Sequence, residues 1–142
     1  MKKKMSYRII ARYIKNLSFN ISKPEIFFSL SENISKYKFK VDIKSNSFKN
    51  NIIEVETTLS LEPKEILKEE IIAKATFSTL VEIDKNLTNK NELEQIILID
   101  IPNKTYPELR KIFIFIFENS GFKDISIDRE VDFKKLYLSR KN

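Results

Sequence analysis

Between residues 7 and 83, apolar and polar positions alternate in four stretches, the period expected of strands with one buried face. In YRIIARYIKNLSFNI (7–21) the second half is the regular part. Tyr13, Lys15, Leu17, Phe19 and Ile21 fall on one side, and Asn16, Ser18 and Asn20 on the other. Pro24 ends this strand, and PEIFFSL reads as a short connector. In YKFKVDI (37–43) the residues Tyr37, Phe39, Val41 and Ile43 face one way while Lys38, Lys40 and Asp42 face the other. SNSFKNN (45–51) is turn-like. IEVETTLSL (53–61) then repeats the pattern through Ile53, Val55, Thr57, Leu59 and Leu61, and Pro63 opens a charged loop. EEIIAKATFSTLVEI (69–83) sets Ile71, Ala73, Ala75, Phe77, Thr79, Val81 and Ile83 on one face. Four strands joined by short polar turns predict an antiparallel meander.

After residue 90 the period changes. NELEQIILIDI (91–101) is apolar enough for a short helix or a strand, and Pro102 stops it. In TYPELRKIFIFIFENSGF (105–122) the run Ile112 to Phe117 has the β-propensity of a strand, but its flanks argue for a helix. Thr105 and Glu108 have the spacing of a capping box, Pro107 falls in a first turn, and Gly121 stands where a left-handed C-terminal cap is wanted. This predicts a helix over 106–119 that is apolar all round. One stripe can pack on a sheet, and the rest asks for cover from another chain or a ligand. FKDISI (122–127) is a connector or short extended piece. REVDFKKLYLSRK (129–141) is a final short helix with Phe133, Leu136 and Tyr137 on its apolar side. Strands first and helices after give an α+β class: a four-stranded antiparallel sheet followed by a long helix and a C-terminal helix. The 142 residues suit one domain, 1–142, with 1–5 expected to be disordered.

Composition narrows the chemistry. The chain has no cysteine and no histidine, which removes disulfides, thiolate metal sites and the commonest general base. Its one glycine, Gly121, leaves nothing from which to build a phosphate-cradling loop. An enzyme is therefore not expected, nor a cofactor or a metal. The start, MKKKMSYRIIARYIK, lacks the apolar core of a signal peptide, and no run reaches the length of a membrane span, so a cytoplasmic location is expected. The formal charge of +6 raises the question of nucleic acid, but the lysines are dispersed among 20 acidic residues and no nucleic-acid partner is expected.

Several of these words, in this order, resemble the SecB family of bacterial export chaperones over nearly the whole chain. RYIKNLSFNISKPEIF is similar to that family's N-terminal stretch, an aromatic-x-K-D-I-S-F-E pattern followed by a proline and an apolar pair. YKFKVDIKS, IEVETTLSLEP and IIAKATFSTLVEI look like its next three strands. NKTYPELRKIF with SGFKDISI is similar to its proline-led helix and extended link, through Pro107, Arg110, Gly121 and Phe122. VDFKKLY resembles its closing helix through Val131, Phe133, Leu136 and Tyr137.

The resemblance implies a homotetramer, a dimer of dimers, without enzymatic activity. Such a chaperone holds unfolded precursor proteins translocation-competent in the cytoplasm and passes them to SecA. The alternative is a SecB-like chaperone dedicated to one partner such as an antitoxin, without SecA. By resemblance, a client-binding groove would use Tyr37, Phe39, Val41, Ile43, Phe133 and Tyr137, each equally readable as core. The oligomer interface would use Ile71, Ala73, Ala75 and Phe77 on the fourth strand with Ile112, Phe113, Ile116 and Phe117 on the long helix, again readable as core. SecA-docking positions that are acidic in the family would here be Asn16, Asn20 and Lys74, so that pattern is lost and the glycine pair often seen on the fourth strand is also absent.

Overall fold

A computed structural model describes residues 6–33, 37–63, 72–122 and 125–141. The N-terminal residues expected to be disordered, the loop expected after Pro63, Ile71 and the side chain of Tyr37 lie outside the described residues. Strands β1 (Tyr7–Asn20), β2 (Tyr37–Lys49), β3 (Ile52–Pro63) and β4 (Ile72–Ile83) form one antiparallel sheet in the order β1-β4-β3-β2. Only β2, β3 and β4 make a meander. β1 pairs with β4 instead of β2, and the chain crosses from one edge of the sheet to the other.

That crossing includes helix α1 (Pro24–Asn33), where the sequence suggested a mere connector. Pro24 opens it, Glu25 lies in its first turn, and Ile26 and Leu30, one turn apart, are buried. The expected turn over 45–51 is mostly strand. β2 runs on to Lys49, and the turn shrinks to Asn50 and Asn51, both left-handed with φ of 26° and 64°. Asparagine tolerates that conformation, so two residues suffice to reverse the chain.

β1 departs most from its simple alternation. Its register with β4 slips between Ile9 and Ala11 and again between Ile14 and Asn16, so Ile10 and Lys15 are bulged. Each extra residue flips the side chains beyond it. Tyr13, opposite Ser78, therefore lies on the other face from Leu17, opposite Ala75, although the uninterrupted pattern put them together.

The second half of the chain is more helical than expected. Helix α2 (Lys90–Gln95) is capped by Asn89, whose side chain accepts from the amides of Asn91 and Glu92. A π-helical turn over Ile96–Asp100 leads straight into α3 (Ile101–Asn119). Pro102 does not stop this run. The amide of Ile101 donates five residues back, to the carbonyl of Ile96, and the wider turn relieves the crowding a proline ring meets in a helix. The expected cap at Thr105 is displaced too: Thr105 is inside α3, buried, with Oγ1 donating to the Ile101 carbonyl at 2.9 Å.

The C-terminus of α3 matches the expectation at Gly121, whose φ is 99°. The Gly121 amide donates to the carbonyl of Glu118 and the Phe122 amide to that of Phe117, the two bonds of a Schellman motif. Phe122 also packs on Phe117, with ring centroids 5.6 Å apart. Helix α4 (Phe133–Lys141) starts with Asp132 accepting from the Lys135 amide at 2.9 Å. The extended piece before it is held to α3 by two side chains. Tyr106 donates its hydroxyl to the Asp128 carbonyl, and Arg110 donates Nε to the Ile127 carbonyl at 3.0 Å.

Helix α3 packs its buried stripe, Ile101, Thr105, Leu109, Phe113 and Phe117, on one side of the sheet. Val55, Leu59, Ala75, Phe77 and Val81 are buried sheet residues. The other side is polar, and cross-strand partners set its rows: Lys40, Ser60, Lys74 and Ser18, then Asp42, Thr58, Thr76 and Asn16, then Lys44, Glu56, Ser78 and Tyr13. The bulged Lys15 reaches onto this face, its Nζ 3.0 Å from Glu54 and 3.2 Å from Glu56. Ser78 donates to Glu54 at 2.6 Å, and Asn46 donates to Glu56 at 3.1 Å.

Two consequences can be measured. Gly121→Ala forces a Cβ into a left-handed position and sets it 3.1 Å from the Phe27 ring. It is expected to destabilise the subunit by about 1–2 kcal/mol, read as a lower urea midpoint at unchanged slope. The Ser78 hydroxyl first, and then the Lys15 ammonium, hold the Glu54 carboxyl below its ordinary value of 4.5. A depressed carboxyl stabilises the fold above its ordinary value and loses that contribution as pH falls through its folded-state value. Melting temperature should therefore drop on acidification below pH 4.5, and Glu54→Gln should flatten part of that slope. An unchanged acid profile in the variant would remove Glu54 from the account.

Candidate functional site

Three of the residues singled out for a client groove come together. Val41 and Ile43 on β2 meet Tyr137 on α4, and with Leu98 and Leu136 they line a shallow apolar hollow on the flank of the subunit. Tyr137 is anchored from below by its hydroxyl, which donates to Glu94 Oε2 at 2.8 Å. Beside the hollow, Leu136 and Leu138 are 38% and 50% exposed. Phe39 and Phe133 are not brought to this hollow. Phe39 turns inward, its ring 5.7 Å from Phe113 and 6.2 Å from Phe117, and Phe133 is buried under Tyr106. Positions 133 and 137 lie one turn apart on the inner side of α4, so phase does not separate them; Tyr137 and Ile43 are themselves buried and form the base of the hollow, and the exposed Leu136 and Leu138 flank it. Leu98 was missed because a π-helical turn has no signature in a short apolar run.

The hollow has a second useful property. Among the described residues β2 is an edge strand, paired with β3 on one side only. An extended polypeptide at this flank meets apolar side chains and unpaired backbone groups together, the combination used in strand addition.

The residues proposed for subunit contact divide differently from the expectation. Ala73, Ala75, Phe77, Phe113 and Phe117 are all buried within the single subunit, against its own sheet and helix. Their small exposed area offers little to a second copy, and the apolar circumference of α3 is largely covered at home. Ile112 and Ile116 are half-buried, and Phe115, between them in sequence, is 65% exposed. The larger uncovered apolar surface is on β1, where Ile10, Tyr13, Ile14 and Leu17 are each 45–47% exposed. The sequence signal for this was YRIIARYI, which is apolar at neighbouring positions and so on both faces of an edge strand.

Asn16, Asn20 and Lys74 do share one face. Asn16 pairs with Thr76, Asn20 with Ile72, and Lys74 with Ser18 between them. All three are exposed on the polar side of the sheet. Acids are present on that side, at Asp42, Glu54, Glu56 and Glu82, but Lys15 and Ser78 already engage Glu54 and Glu56, and Arg8 pairs with Glu82. The Lys15 ammonium is correspondingly held above its ordinary value, chiefly by its hydrogen bonds to Glu54 and Glu56.

Among the described residues no cluster of acidic side chains is placed to hold a metal ion, and no helix is long and apolar enough to cross a membrane. What the surface offers is chemistry of contact: an apolar flank beside an open strand edge, an exposed apolar edge strand, and a polar sheet face.

The family model described as preprotein translocase subunit SecB matches residues 1–142. A SecB protein-export protein of Pelagibacter ubique is 36% identical over 137 residues, covering 96% of this chain and 98% of that protein. Among solved structures, the fold is similar to a SecB-like chaperone of Mycobacterium tuberculosis in complex with a ChAD peptide from an antitoxin. The TM-score is 0.59 at 11% identity, covering 87% of this chain and 90% of that one. With a family model spanning every residue and a relative matched over nearly its full length, the chain belongs to the SecB family of protein-export chaperones.

Proposed function

We propose that this protein is a cytoplasmic holdase that binds unfolded precursor proteins and keeps them competent for Sec-dependent export, working as a homotetramer built from two dimers. The observation that carries the reading is the apolar flank formed by Val41, Ile43, Leu98, Leu136 and Tyr137 beside the open edge of β2. At about 10 Å³ it is too small to enclose a ligand, so it offers apolar surface to an extended chain and not a cavity for a small molecule. Affinity there comes from apolar burial, about 25 cal/mol per Å² before ordering costs, which suits weak and varied clients.

A second reading keeps the fold and narrows the job to one dedicated partner, such as an antitoxin, without SecA docking. Two observations favour it. The similar mycobacterial chaperone was solved with an antitoxin peptide. On the sheet face that carries Asn16, Asn20 and Lys74, the carboxylates of Glu54 and Glu56 are also already engaged by Lys15 and Ser78, which weakens their hold on a basic docking tail.

In a light-scattering assay, the protein is expected to suppress aggregation of several unrelated unfolded clients. Leu136→Glu combined with Leu138→Glu should lose most of that effect with the fold intact, since both side chains are exposed. Protection of one partner only would favour the dedicated reading, and protection of none would refute both.

For self-association, β1 is the surface best suited to a second copy. It is an unpaired edge, and an exposed apolar edge strand in a single subunit is an aggregation hazard that a partner removes. Ile14→Glu with Leu17→Glu is expected to lower the mass measured by multi-angle light scattering to that of a smaller species. A monomeric wild type, or an assembly indifferent to these substitutions, would refute this placement.

A further inference from the structure

The polar side of the sheet contains a hollow of about 410 Å³ that the client flank does not use. Its walls carry Lys15, Lys40, Lys44 and Lys74 against two carboxylates, Asp42 and Glu56. Its floor includes the hydroxyls of Thr58, Ser60 and Thr76. Thr58 and Thr76 share one hydrogen bond of 2.8 Å, and one of their two hydroxyl protons is not used in it.

Glu54 and Glu56 on this side are already engaged from within. Lys15 bridges Glu54 and Glu56, Ser78 donates to Glu54, and Asn46 donates to Glu56. The bulge at residue 15 is what lets Lys15 do this, because it takes that side chain out of the regular alternation. Lys15, Lys40, Lys44 and Lys74 outnumber Asp42, Glu54 and Glu56 by one charge, so an incoming segment meets a modest positive field, strongest at the exposed Lys44 and Lys74, over a floor of hydroxyl groups. From these observations we propose that the hollow is a docking site for an acidic segment of a partner protein, one that carries several aspartates or glutamates in extended chain.

Spacing supports a segment over a small anion. Lys44 and Lys74 stand two strands and four residues apart. At ordinary sheet spacings that is on the order of 16 Å between backbones, so one phosphate or carboxylate meets both ammonium groups only if both side chains lean fully together. In an extended peptide, alternate side chains point to one side about 7 Å apart, so a few acidic residues span the gap. Intermixed acids decide between protein and nucleic acid. Asp42 and the Glu54–Glu56 pair interrupt the lysines, which would oppose a continuous phosphate backbone, while a peptide can place neutral residues over them. The site lies on the opposite side of the sheet from α3 and does not rest on the holdase reading.

The test is fluorescence anisotropy with the full chain and three labelled probes: a peptide of alternating glutamate and serine, its lysine-for-glutamate counterpart, and single-stranded DNA of matching charge. Saturable binding of the acidic peptide, weakened by added salt, is expected. Lys44→Glu with Lys74→Glu should weaken it by about tenfold or more. Both side chains are exposed, so the variant's circular dichroism and aggregation suppression should match the wild type. The assignment is overturned if the acidic peptide fails to bind, if the variant binds it equally well, or if the lysine peptide or the DNA binds more tightly.

Discussion

The seam between α3 and the sheet is the contact on which the rest of the subunit depends. Phe113 and Phe117 sit at its centre, with Phe19, Phe39 and Phe122 packed edge-on or tilted around them at 5.1–6.2 Å. Removing such a ring from a well-packed core costs about 3–5 kcal/mol, a large share of the stability of a domain this size. The seam also sets the position of everything that follows. The Schellman turn at Gly121 returns the chain over Phe117, Tyr106 and Arg110 hold the extended link, and α4 arrives with Tyr137 against β2. Burial raises the Tyr106 phenol above its usual value, which keeps it a hydrogen-bond donor in that role.

The two faces of the sheet do different work because β1 is not regular. Its bulges put Leu17 and Phe19 on the helix-covered side and Tyr13 on the polar side. They also direct Lys15 to Glu54 and Glu56. Exposed ion pairs of this kind add little stability singly, on the order of 1 kcal/mol or less. Their larger effect is on surface chemistry: one ammonium is shared between two carboxylates, and Lys44 and Lys74 are left exposed on the same face. Edge strands matter equally. β1 and β2 both end the sheet, one with apolar side chains on both faces and the other beside an apolar hollow. A fold that leaves two such edges in one subunit is suited to contact with other chains.

Much of this was legible in the residues. The strands at 37–43, 53–61 and 69–83 follow from strict alternation, and their described portions face as expected. The helix around Ile112–Phe117 was expected from its flanks, of which only Gly121 marks a true end, since Pro107 lies inside α3 and not in its first turn. The α+β class and the family follow from the order of the words. Other features were hidden because their signals are non-local. A bulge is set by the partner strand, so the parity of β1 could not be read from β1 alone. PEIFFSL is too short for a helical period to declare itself, and Pro102 reads as a stop unless the turn before it is known to be π-helical. The capping-box spacing of Thr105 and Glu108 was a coincidence of sequence inside a longer helix.

The sequence by itself determined which residues are apolar, where the chain must turn, and that histidine, cysteine and glycine chemistry is absent, since these depend only on local composition and period. Tertiary structure decided which apolar residues are core and which are surface. Phe113 and Phe115 are the same side chain two positions apart, one 2% and the other 65% exposed, and only the direction in which α3 meets the sheet tells them apart. The same holds for the candidate site. Val41, Ile43, Leu98 and Leu136 come from three separate parts of the chain and become one hollow only through packing, because a binding surface is a property of positions in space and not of neighbours in sequence.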